Sequence, residues 1–126
     1  MARILIDTDI LIDHLRNLGY ATDYIRKILP SKPTISIITR IELLSGNKIN
    51  GTEEVIIKDL LRLFEIIQLD EALADIAAIF RRKYPIGLAD SIIAASAFKE
   101  GAVLATRNLK HFKNISEIKV LSPYKI

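Results

Sequence analysis

The chain contains no cysteine. Disulfides and thiolate metal sites are therefore excluded, and a cytoplasmic protein is the natural expectation. Histidine is almost as scarce. His14 and His111 are the only two, too few for a zinc site that draws on several nitrogen or sulfur ligands. Long apolar runs are missing too: none approaches the roughly 20 residues that cross a bilayer. The apolar N-terminus is broken by Asp7, Asp9 and Asp13, which argues against a secretory signal. There is no internal repeat or low-complexity segment, and glycine and proline fall singly as punctuation. The charge balance is only mildly basic, +3 with pI ≈ 9.2, which permits a polyanionic partner without requiring one.

What is present is a chain of 126 residues, 50% hydrophobic and 26% charged, enough for one domain over 1–126 with a full core. Residues 3–7 (RILID) form a short apolar run closed by an acid, the pattern of a buried strand. A helix is expected from Asp9 to Asn17, with Asp9 as its cap, and a second from Ala21 to Leu29, closed by Pro30. Thr34 to Ile38 is rich in β-branched residues and predicts a strand. Thr39 to Leu44 turns helical and stops at Gly46. Over 52–64 the residues Val55, Ile56, Leu60, Leu63 and Phe64 recur at helical spacing. Glu65 to Leu69 predicts a short strand, and Asp70 caps a helix that carries Leu73, Ile76, Ala77 and Phe80 on one face. The most apolar helix, Leu88 to Lys99, is followed by strands at 102–106 and 118–122. Strands alternating with helices and no hairpin signal imply an α/β fold, a parallel sheet with helices on both faces. Such sheets bind ligands beyond the carboxyl ends of their strands.

That edge collects acids. Asp7 closes the first strand, Glu42 follows the second, Asp90 opens the helix after Gly87, and Asn108 lies just past AVLAT. Each has a structural explanation. Thr39-Arg-Ile-Glu42 matches a capping box, and Asp90 near a helix start complements the helix dipole, worth ~0.3–1 kcal/mol. Asp13 reads as a solvated acid. Asp7 resists such an account, because it sits between Ile4-Leu5-Ile6 and Ile10-Leu11-Ile12 with no evident cationic neighbour. Two carboxylates about 4 Å apart repel by ~4 kcal/mol at an effective dielectric of 20. Three are tolerable when protonated, well hydrated or bound to a cation. Oxygen-only donors favour Mg²⁺ or Mn²⁺, and a hard divalent ion on carboxylates suggests phosphoryl chemistry.

In order, ILIDTDILID, SIITRIELLSG, IGLADSIIAASA and VLATRNLKHF resemble a PIN domain, most closely the VapC-type toxins of prokaryotic toxin–antitoxin pairs. The likeness spans essentially the whole chain. It implies a three-layer α/β/α sandwich with a mainly parallel central sheet and a metal-dependent endoribonuclease. By this resemblance Asp7, Glu42 and Asp90 are the three metal-site acids, and Thr106 and Asn108 occupy a closing T-x-D/N element. Many relatives have a fourth aspartate where this chain has Asn108. The missing charge weakens a second metal ion and favours a one-metal site. The resemblance further implies hydrolysis by metal-activated water, with 5′-phosphate and 3′-hydroxyl products. It also implies a homodimer and an antitoxin that blocks the site.

Thr8 is a supporting polar group, and Arg40, Arg107 and Lys110 are the first choices for RNA phosphate contacts. Tyr84 is placed to stack on a base. The Arg81-Arg82-Lys83 cluster reads as solvated charge at a helix end, and His111 as a surface histidine. Two other functions start from the same residues. DTD after an apolar strand is also found in haloacid-dehalogenase-like phosphatases, although no late Asp-Asp pair appears here. A degenerate PIN-like module that binds RNA or protein without cutting would account for Asn108, but not for the three retained acids.

Overall fold

The strands are short enough that alternation of side chains decides their role. In the computed structural model, which describes residues 3–124, β1 (Ile4–Ile6) sends Leu5 into one apolar cluster and Ile6 into another. β4 (Val103–Ala105) does the same with Leu104 and Ala105. Successive residues of a strand face opposite sides, so the two clusters lie on opposite faces of one sheet. With β2 (Thr34–Ser36), β3 (Glu65–Ile67) and β5 (Lys119–Leu121), the strands run in the order β3-β2-β1-β4-β5. Every pairing is parallel. The chain winds outward from β1 to β3 and then crosses to β4. The change of direction therefore falls between β1 and β4, where doubly wound sheets open a crevice.

One face is covered by α1 (Thr8–Leu15), α2 (Gly19–Ile28), α3 (Ile37–Leu44) and α4 (Gly51–Leu61). Their Ile10, Leu11, Ile25, Ile28, Leu43, Ile57 and Leu61 join Ile6 and Ile35 in one core cluster. The other face is covered by α5 (Glu71–Lys83), α6 (Leu88–Glu100) and the single turn α7 (Leu109–Phe112). The result is the α/β/α sandwich expected. Helix α6 is buried without interruption from Ser91 to Ala97. Alanines and serines let it approach its neighbours closely, and Ser91 and Ser96 bond their hydroxyls back to Leu88 and Ile92 carbonyls. Its first turn, with Asp90, is thereby held rigidly at the sheet edge.

Several local expectations change. Asp7, not Asp9, caps α1: Asp7 Oδ1 accepts the Thr8 N–H at 2.8 Å. Ser36, not Thr39, caps α3 by accepting from the Ile38 N–H at 3.1 Å. The β2 strand stops two residues earlier than its β-branched run, so Glu42 lies in the second turn and caps nothing. Asp70 does cap α5, accepting from the Leu73 N–H. In α4 the buried stripe is Ile57, Leu60 and Leu61, followed by Phe64, while Val55, Ile56 and Leu63 are more than half exposed. The apolar residues there fit two helical phases, and only the one facing the sheet is buried. The turn α7 has no counterpart in the sequence-based elements, because four residues carry no periodicity.

Candidate active site

Asp7 is placed by backbone before its side chain does anything. Its N–H donates to the Ala105 carbonyl at 2.9 Å, which extends the β1–β4 ladder one residue and sets the carboxylate at the crevice. Oδ1 takes the Thr8 N–H and Oδ2 accepts from Thr106 Oγ1 at 2.7 Å. The Thr106 hydroxyl in turn accepts the Asn108 N–H at 3.0 Å. One threonine therefore ties together the ends of β1 and β4 and the loop carrying Asn108.

Only 5% of Asp7 is exposed. Burial first, then the neighbouring Asp9, pushes its carboxyl up to about 7 against the hydrogen bonds from Thr106 and Thr8, with Asp90 adding to the rise. Asp9 is 8% exposed, and among the described residues neither carboxylate oxygen has a hydrogen-bond partner. Burial raises its pKa too, opposed chiefly by the Arg107 charge.

Glu42 reaches the same place from α3. Thr8 Oγ1 donates to Glu42 Oε1 at 2.6 Å and stands 2.9 Å from Thr39 Oγ1. The Thr8 proton is committed to the carboxylate, so Thr39 donates to Thr8. Asp90 arrives from α6, with His111 Nδ1 at 3.1 Å from its Oδ2. These groups line one open cavity of ≈ 170 Å³ together with Asn108 and Ile12. Asp7, Glu42, Asp90, Asn108 and Thr8, all singled out in the sequence, are thus brought together; Thr106 lies beneath them. Asp9 and His111 complete the lining. The sequence signal for Asp9 was its place two residues after Asp7, which was read as a cap and as the DTD element of a phosphatase.

One expectation fails behind the site. Asp13 is not solvated: it is 3% exposed. Its Oδ1 accepts from Arg107 Nη2 at 3.2 Å, Arg107 Nε stands 2.9 Å from Oδ2, and Tyr124 Oη donates to Oδ2 at 2.7 Å. Arg107, its side chain 30% exposed, is the counter-charge of a buried acid. The sequence separation of 94 residues hid that pair. Tyr84, beside the basic cluster, bonds Glu117 through its hydroxyl, and Lys83 pairs with the same carboxylate.

The donors suit a hard divalent cation. The acids offer oxygen alone, with the His111 nitrogen turned to Asp90, and Asp7 and Glu42 have no cationic partner among the described residues. The raised Asp7 carboxyl is the imbalance that a cation relieves. Among the described residues no three acids or histidines stand close enough to form a closed ligand set. A haloacid-dehalogenase-like phosphatase would need Asp9 to exchange protons with substrate, and the Asp9 oxygens are sealed from solvent.

The chain is similar to known proteins over nearly its whole length. The chain is 34% identical over 122 residues to ribonuclease VapC10 of Mycobacterium tuberculosis, covering 92% of this chain and 90% of the relative. A toxin–antitoxin complex from Klebsiella pneumoniae has a chain that superposes with TM-score 0.81 at 32% identity, over 98% of this chain and 99% of that one. FitAcB from Neisseria gonorrhoeae matches with TM-score 0.81 at 27% identity and the same coverage. The PIN domain family model matches residues 4–118, nearly the whole length over which the two apolar faces and the acidic crevice are built, and the chain belongs to the PIN domain family.

Proposed function

We propose that this protein is the ribonuclease toxin of a VapBC-type toxin–antitoxin pair, a Mg²⁺- or Mn²⁺-dependent endoribonuclease acting in the cytoplasm. The observation that carries the proposal is the convergence of Asp7, Glu42 and Asp90 from three separate elements on one open cavity, with Asp7 buried and its carboxyl pushed up to about 7. A fold needs no such cluster, and the relatives' ribonuclease and toxin–antitoxin character supports its use on RNA.

Asp7 and Asp90 would hold the ion, with Glu42 binding it or orienting the attacking water. A divalent ion held there supplies charge to polarise a phosphodiester and acidity to make a bound water nucleophilic near neutral pH. Thr106 fixes the Asp7 carboxylate, and Thr8 fixes Glu42 in one rotamer, so both acids are oriented before substrate arrives. Asn108 contributes an uncharged carbonyl and amide at the rim, which orients water without adding negative charge. Lys110, near the cavity, and Arg40 on α3 are the cations suited to RNA phosphates; Arg107 acts through Asp13.

The resemblance to PIN-domain ribonucleases implies that the ribose 3′ oxygen leaves, so the products would carry 5′-phosphate and 3′-hydroxyl ends, with the 2′-hydroxyl untouched by a water nucleophile. End-group analysis of RNA incubated with the protein and Mn²⁺, Mg²⁺ or EDTA tests this directly. 2′,3′-Cyclic phosphate ends, or cutting in EDTA, would defeat the mechanism. The partners proposed are a cognate antitoxin and a second copy of the chain. Apolar side chains left on the surface, Val55 at 59%, Ile56 at 54% and Leu88 at 62% exposure, offer area for such partners to cover.

A further inference from the structure

Beside the carboxylate cavity lies a larger one, of ≈ 240 Å³. The two share Asp90 and His111, so they adjoin along the α6–α7 edge. Its chemistry differs from that of its neighbour. Ile115, 2% exposed, and the half-buried Ile86 give it an apolar floor continuous with the core. Tyr84 forms a wall, held by its hydroxyl on Glu117 and by an edge-on contact with Phe80, centroids 6.3 Å apart at 65°. Lys110 and Asn114 stand on the rim, and neither side chain has a hydrogen-bond or ion-pair partner among the described residues.

An apolar floor with one unspent amide and one unspent cation at its edge suits a flat heterocycle attached to a phosphate. Pockets for drug-sized ligands run to roughly 300–1,000 Å³; this one is smaller and fits a single base. Single-stranded RNA is read in this manner, with unstacked bases held against apolar or aromatic side chains and hydrogen-bonded along their edges. Asp90 belongs to both cavities, so a base held here would lie beside the acids.

We propose that this cavity binds the nucleobase of the ribonucleotide adjoining the scissile phosphate, with Asn114 reading its edge and Lys110 meeting its phosphate. The inference rests on the ribonuclease function proposed above, and it makes Asn114 a determinant of where the RNA is cut.

The test has two arms. In the first, wild type, Asn114→Ala and Asn114→Trp cut an RNA pool of randomised sequence with Mn²⁺, and the base frequencies flanking each cut are counted. Wild type is expected to prefer one base at one flanking position. Removing the amide should reduce that preference about tenfold, the scale of a lost base-edge contact, and tryptophan should abolish it by filling the cavity. In the second arm, metal-free protein is titrated with the four ribonucleoside 5′-monophosphates and ribose 5-phosphate, following Asn114 amide and Ile86 and Ile115 methyl resonances. Shifts confined to these residues, larger for one base and absent with ribose 5-phosphate, support the subsite; Asn114→Trp, checked for a wild-type amide spectrum, should not show them. Cutting with an unchanged base preference in both variants would overturn the subsite and leave the nuclease standing. Absence of cutting would count against the nuclease, and the titration would then decide the subsite alone. Equal shifts for all bases, or none, would overturn it.

Discussion

Asp7 carries opposing duties. It caps α1 and anchors the β4 loop through Thr106, yet its charge is buried beside Asp9. With its carboxyl moved from the ordinary 3.8 to about 7, the folded state binds more protons than the unfolded state between those values. Stability of the metal-free protein should therefore fall as pH rises from about 4 to about 7 and level off above that. Asp7→Asn should remove most of this slope and raise the melting temperature at pH 8, while abolishing cleavage; denaturation curves of both proteins at pH 5 and pH 8 check it. A variant no more stable than wild type at pH 8 would mean that Asp7 is not a strained, buried charge. Thr8 gives a second residue-scale test. Thr8→Val leaves the Thr39 hydroxyl buried without its acceptor and frees Glu42, so a loss of ~1–2 kcal/mol is expected by urea denaturation. The cleavage rate should drop about tenfold through loss of Glu42 orientation. These residues were legible in the sequence as types and as positions at strand ends. Their hydroxyl partners were not, because Thr8–Glu42 and Thr106–Asp7 are contacts across 34 and 99 residues.

Among the elements, α1 and the segment after β4 are held together by more than the sheet. Asp13 on α1 is bonded to Arg107 beyond β4 and to Tyr124 near the chain end. Tyr124 in turn packs on Tyr20 of α2, ring centroids 4.6 Å apart. Truncating one partner of a buried ion pair strands the other charge, at a cost of about 3–5 kcal/mol. Tyr124 still serves Asp13 and Arg107 is partly exposed, so Arg107→Ala should cost roughly 2–3 kcal/mol in urea denaturation. It should also lower cleavage by loosening Asn108 at the next position. Arg107→Lys, which keeps charge without the planar fork, should recover part of the stability. If Arg107→Ala left stability intact but weakened RNA binding, the role of phosphate contact would return to Arg107. Helix α5 was read correctly from its period and the Asp70 cap, and α6 from its apolar run after Gly87. The α1 and α3 caps were misplaced by two and three residues, since several polar side chains compete for each cap and only the strand's end decides among them. In α4, Val55-Ile56-Ile57 supports either of two faces, and only packing against β-sheet and α3 selects Ile57.

At the scale of the whole molecule, the strand order places β1 and β4 side by side, so that the four motifs, far apart in the chain, meet at one edge. The family pattern let that meeting be anticipated, and the parallel α/β architecture followed from the alternation of elements. Surface function was less legible: nothing in one sequence separates an exposed isoleucine awaiting a partner from a buried one. Ile56→Glu is expected to change stability by no more than about 0.5 kcal/mol while weakening antitoxin binding at least tenfold, as seen by titration calorimetry. Unchanged antitoxin affinity would remove this face from the interface. On the function proposed, the acids of the crevice form a divalent-metal site that hydrolyses RNA. This is tested most directly by following RNA cleavage by wild type, Asp7→Asn and Asp90→Asn across a Mn²⁺ titration. Saturable, Mn²⁺-dependent cutting by wild type, lost by at least a hundredfold in both variants, is the result expected. Cutting that persists in both variants, or that does not depend on the metal, would contradict it.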